Sequence, residues 1–152
     1  MINQKQLRDL IDRTLKEFEK HSIDAANLIQ GTEKQESAGG RFIKQLGNGP
    51  ALGIFQMEPN THDDIWNNYL KYESELGIKV LELSGVSEAK AEHLEYNIKY
   101  GILMCRCHYL RKKGSIPSTV LGYAEYWKKH YNTTLGAGTV EEFVHNYNKY
   151  DK

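Results

Sequence analysis

At 152 residues the chain is long enough to bury a sizeable core within one domain, taken here as residues 1–152. Twenty basic side chains balance twenty acidic ones, so no net field draws the chain to nucleic acid or an anionic membrane. Its 39% hydrophobic and 26% charged residues are the composition of an ordinary globule, and no apolar run is long enough to span a bilayer.

Leu7, Leu10, Ile11, Leu15 and Phe18 recur at helical spacing and predict a first amphipathic helix ending near His21. Ser22 or Asp24 then caps a second helix, whose face runs through Ala25, Leu28, Ile29 and Thr32 to Glu36. Gly39-Gly40 stops it. Arg41 to Leu46 reads as a short strand, Gly47-Asn48-Gly49-Pro50 as a turn, and Ala51 to Gln56 as the returning strand of a hairpin. Thr61 with Asp64 has the capping-box pattern for a helix through Ile65, Trp66, Tyr69 and Leu70. Gly77 to Val86 reads as loop with a short apolar docking piece. Ser87 is expected to open the longest helix, through His93, Ile98, Gly101 and Leu110 to Gly114. Pro117-Ser118 starts another that carries Tyr123 and Trp127, Asn132 to Gly138 is loop, and Thr139 with Glu142 caps the last helix. The expected class is α+β, mostly helical with one small β-hairpin.

Glu36 stands out because it ends an apolar helix face. Partial desolvation there disfavours the charged carboxylate and raises its pKa, as a general acid near neutral pH requires; turned outward, the same side chain is merely solvated. Gln56 and Glu58 lie two apart, so in a strand they share a face. Glu58 reads equally as a cleft carboxylate or as the residue ahead of Pro59 that opens a helix. Gly53 permits close approach of a ligand to the backbone or a tight bend, and Gln56 can bond an acetamido or hydroxyl group or satisfy backbone groups at the strand end. Cys105 and Cys107 point to different helix faces, a poor geometry for a mutual disulfide, and are read as reduced core or groove residues. His62, Asp63 and Asp64 diverge within one turn and read as a solvated helix start rather than a metal site. Arg111-Lys112-Lys113 suits a helix C-terminus and need bind nothing.

Gln35-Glu36-Ser37, the Ala51-Leu52-Gly53-Ile54-Phe55-Gln56 segment and Pro59-Asn60-Thr61 resemble, in that order, blocks of the soluble lytic transglycosylases and goose-type lysozymes. Asn97-Ile98-x-x-Gly101 resembles a fourth block. Leu121-Gly122-Tyr123 resembles part of a fifth, with Ala124, Glu125 and Tyr126 departing from the family's pattern. The set covers roughly residues 22 to 130, and the run Tyr126 to Thr133 with Gly138 to Phe143 is similar to bacteriophage members of the lysozyme-like group.

The resemblance implies a lysozyme-like domain that cleaves the β-1,4 bond between N-acetylmuramic acid and N-acetylglucosamine in peptidoglycan, with chitin-type cleavage a related option. Glu36 would be the general acid, Tyr123 would steady it, and Gly53, Ile54 and Gln56 would line the cleft. Glu58 is the candidate second carboxylate. The stretch from Ser37 to Met57 holds no acid, which favours a single-carboxylate lytic transglycosylase over an inverting muramidase. No cofactor or metal is implied. The expected partner is the glycan strand, met by a monomer. The polar N-terminus has no apolar signal region, which suits delivery to the cell wall by a phage particle, lysis pore or secretion system. The reading from another class is a non-catalytic glycan-binding or structural virion protein that keeps the fold.

Overall fold

The computed structural model describes residues 1–132 and 136–150. Among them the regular secondary structure is all helical: α1 (Gln4–Glu17), α2 (Ile23–Ser37), α3 (Pro59–Asn68), α4 (Ser74–Ser84), α5 (His93–Tyr96), α6 (Ile98–Leu110), α7 (Val120–Trp127) and α8 (Val140–Lys149). A 3₁₀ turn, Leu70–Tyr72, follows α3, and a π-helical turn, Lys128–Asn132, continues α7. No helix among the described residues is long and apolar enough to cross a membrane.

Local chemistry explains most of the helix starts and the end of α2. Asn3, Ser22, Asn97, Thr119 and Thr139 cap α1, α2, α6, α7 and α8, each accepting a backbone N–H of the first turn. Ala38 leaves α2 in the left-handed region at φ 53°, and Gly39 and Gly40 continue there, which ends the helix.

Two apolar clusters form the core. One gathers Leu7, Ile11, Leu28, Ile29, Trp127 and Phe143 around α1, α2, α7 and α8. The other gathers Phe18, Ile65, Leu70, Val80 and Leu103 around α3, α4 and α6. α6 serves both, with Ile102, Cys105 and Tyr109 in the first and Leu103, Met104 and Cys107 in the second. That is why its apolar pattern runs all round the helix. Both cysteines are buried and unbridged.

The α+β expectation is wrong: among the described residues there is no strand. The segments Arg41 to Leu46 and Ala51 to Gln56 meet at one isolated bridge, Lys44 with Leu52, flanked by the bonds Gln45 N–H to Ala51 O and Gly53 N–H to Ile43 O, and a second isolated bridge joins Leu52 to Met57. Leu52 and Met57 exchange both backbone bonds, at 2.9 and 3.1 Å, so the chain reverses within six residues. Gly53 (φ 78°) and Gln56 (φ 48°) take left-handed conformations that end the extended run. A short apolar run does not distinguish a buried strand from a buried turn, and here adjacent Ile54 and Phe55 are both buried.

Three further boundaries differ from expectation. Gly77 to Val86 is mostly the helix α4, where Gly77 lets the backbone approach Trp66 (a Cβ would lie 3.2 Å from its ring) instead of breaking the helix. The long helix from Ser87 is interrupted at Asn97, whose extended backbone and capping side chain start α6 afresh after the single turn of α5. Thr61 is inside α3, which begins at Pro59 because proline's fixed φ suits a first helical position. Residues 133–135 of the expected loop lie outside the described residues.

Candidate active site

Glu36 sits in the last turn of α2, one turn beyond Thr32. Thr32 Oγ1 is bonded to Leu28 O and to Tyr109 Oη of α6, both at 2.8 Å. The helix face that packs on α6 thus carries Glu36 to the edge of the core, where it is half-buried. Trp127 Nε1 donates to Glu36 Oε2 at 3.0 Å. Loss of water raises the carboxyl's pKa from about 4.5 to about 7, and the indole bond, which favours the charged form, offsets part of that rise.

Glu36 opens onto a cleft of about 450 Å³. His108 of α6, Tyr131 and Asn132 of the π-helical turn, and Gln45, Gln56, Glu58 and Thr61 from the turn region and α3 also line it. Tyr131 Oη donates to Phe55 O at 2.6 Å, tying the π-helical turn to the 52–57 reversal. His108 Nδ1 accepts from Arg111 Nη2 at 2.9 Å, and its ring meets that of Tyr131 edge-on at 4.7 Å. Burial first, then the Arg111 and Lys112 charges, push His108 down to about 3, so it is neutral at ordinary pH.

The structure gathers three of the six residues expected at the site: Glu36, Gln56 and Glu58 share the cleft. Gln56 Nε2 donates to Gly53 O at 2.9 Å, the backbone role considered for it, and the residue also lines the cleft. Its left-handed backbone is a strained position beside a candidate acid. Glu58 stands exposed ahead of Pro59 and makes no capping bond.

The other three stand elsewhere. A Cβ on Gly53 would lie 2.0 Å from Leu94 O, so packing on α5 by itself requires glycine here. Ile54 is core. Tyr123 does not steady Glu36: its hydroxyl donates to Asp24 Oδ1 at 2.6 Å and accepts from Asn27 Nδ2 at 2.9 Å, at the opposite end of α2. The side chain that reaches Glu36 is one helical turn further on, Trp127. Tyr123, Trp127 and Tyr131 form an i, i+4, i+8 series, the one sequence signal that pointed to the last two. Nothing in the sequence pattern marked His108 or Gln45.

His62 is not solvated as expected. It is 1% exposed and bonded to Tyr100 Oη at 2.6 Å and Asp63 Oδ1 at 2.9 Å. Asp64 instead accepts from Arg111 Nη1, which gives that basic run a structural partner. No group of three or more His, Cys, Asp or Glu side chains placed to hold a metal ion occurs among the described residues.

No family model matches the chain, and no curated protein or solved structure matches it either.

Proposed function

We propose that the chain is a peptidoglycan glycosidase in which Glu36 protonates the glycosidic oxygen. One observation carries the reading: a half-buried carboxyl with a pKa of about 7 opens onto a cleft of about 450 Å³. At neutral pH a large share of Glu36 holds its proton, as a general acid must. The cleft falls within the usual size of small-ligand sites. Gln45, Gln56 and Asn132 supply amide groups that suit sugar hydroxyl and acetamido partners, and Tyr131 supplies a ring. The ordered blocks between residues 22 and 130 support the same substrate class.

In the step itself, the Glu36 proton passes to the oxygen between the two sugars. The C1–O bond breaks with its electron pair on the leaving oxygen, and positive charge develops at C1. The muramic acid's own C6 hydroxyl then attacks C1 and returns its proton to the Glu36 carboxylate, leaving a 1,6-anhydro end. This single-acid route is favoured because Glu36 is oriented by a hydrogen bond, whereas Glu58 is exposed and uncapped. In the competing route Glu58 activates water.

Digestion of purified sacculi, with chitin oligosaccharides in parallel, and mass spectrometry of the products test the reading. Soluble fragments ending in 1,6-anhydromuramic acid are expected. Reducing ends, together with a dead Glu58→Gln variant, would transfer the chemistry to the hydrolytic route. Binding without any release would make the chain a non-catalytic glycan-binding protein.

A further inference from the structure

The two oxygens of Glu36 have different surroundings. Oε2 accepts the indole N–H of Trp127 at 3.0 Å, and Oε1 makes no hydrogen bond among the described residues. An indole only donates. Whichever charge state the carboxyl takes, Oε2 is therefore the acceptor, and since a carbonyl oxygen accepts better than a carboxyl hydroxyl, an added proton favours Oε1. A hydroxyl in the same place would both donate and accept, and the proton could rest on either oxygen.

The indole is itself held. Trp127 is 0% exposed and its ring lies 5.4 Å from that of Phe143. Gly138 passes so close that a Cβ there would come within 2.6 Å of Trp127 Cη2. The neighbouring Lys128 Nζ donates to Asn132 Oδ1 at 2.7 Å, Gly136 O at 3.0 Å and Gly138 O at 2.7 Å. One ammonium thus ties the π-helical turn to the segment that presses on the indole. Single π-helical turns within α-helices recur at functional sites, and this one follows directly on Trp127.

We propose that Trp127 is the positioning residue of this site, holding Oε2 of Glu36 so that Oε1 alone passes the proton into the cleft. This rests on the glycosidase reading for its catalytic consequence, but the contact itself can be measured without activity. The indole bond favours the carboxylate, so removing it should raise the pH at which Glu36 loses its proton. A general acid works only while protonated, so the alkaline limb of the activity profile should then move to higher pH. Few other groups confuse that limb. Cys105, Tyr109 and Tyr131, which face Glu36, are all pushed upward by burial, and His108 is neutral well below this range. Glu58 is the remaining acid lining the cleft, so the profile is also recorded in Glu58→Gln.

The test is Trp127→Phe, which keeps a ring and deletes the N–H. The expected result is a kcat/KM on the order of 10-fold lower below neutral pH, in line with losing a hydrogen bond to an ionisable group, with the alkaline limb shifted upward. A merely structural role lowers activity and leaves the limb where it was, and that outcome in a folded variant overturns the proposal. Should the variant not fold, the wild-type protein decides. It has two tryptophans, so Trp66→Phe assigns the indole N–H signals by NMR. The Trp127 signal should shift with pH around 7, and the shift should vanish in Glu36→Gln. A Trp127 signal that ignores pH through this range sinks the proposal. Absence of cleavage by wild type, with the Trp127 titration present, sinks the glycosidase reading alone.

Discussion

Glu33 and Glu36 stand one turn apart on α2, and burial pushes both carboxyls to about 7, yet only Glu36 lines the cleft. Glu33 is 0% exposed and closed in by the N-terminal segment. Gln4 Nε2 donates to its Oε1 at 3.4 Å, Gly40 passes over it, and its Oε2 has no hydrogen-bond partner among the described residues. Glu36 has a full-strength bond on one oxygen and lines an open cleft. A raised pKa follows from loss of water in either setting. Access to a substrate separates a candidate acid from a buried cost to stability.

The sharpest way to break the comparison is the paired substitution. Glu36→Gln should lower sacculus digestion on the order of 10²-fold or more, the usual range for a general acid. Glu33→Gln should leave turnover per folded molecule within about twofold, because substrate cannot reach it. Equal losses in the two variants, with folding checked by circular dichroism, would remove the distinction.

Stability should show what the two carboxyls share. Each holds its proton more tightly folded, at about 7, than unfolded, at about 4.5. The favourable contribution is therefore fully present below about pH 4.5 and is lost as pH rises through about 7. Wild type should lose denaturant stability across that window, and Glu33→Gln should flatten the slope and regain on the order of 2 kcal/mol at alkaline pH. An unchanged slope would mean that Glu33 is already hydrated in the folded protein.

The smallest expected effect concerns Tyr123, whose hydroxyl serves Asp24 and Asn27 at the far end of α2. Tyr123→Phe should lower stability by about 1.5 kcal/mol, the scale of a hydrogen bond to a charged group. Activity per folded molecule should stay constant. A drop in turnover without a drop in melting temperature would reconnect Tyr123 to Glu36.

Helix-forming periodicity and caps made much of the fold legible. The stripe Leu7, Ile11 and Leu15, the caps Ser22 and Thr139, and the stop at Gly39-Gly40 are local features, and local energetics decide them. The segment from Arg41 to Met57 was not legible. Its extended pattern yields to the left-handed turns at Gly53 and Gln56, and Gly53 is set by the approach of Leu94, a contact far along the chain.

The site divides the same way. The sequence placed Glu36 at the end of an apolar face and Gln56 and Glu58 close together, because helix period and adjacency are properties of the chain itself. The same periodicity carries Glu33 four residues beyond Ile29, so it could not rank one glutamate above the other. Which carboxyl meets a cleft, and that Trp127 and not Tyr123 holds it, depends on how α7 and its π-helical turn pack across α2. Those contacts join residues roughly ninety positions apart, and only the packed core brings them together.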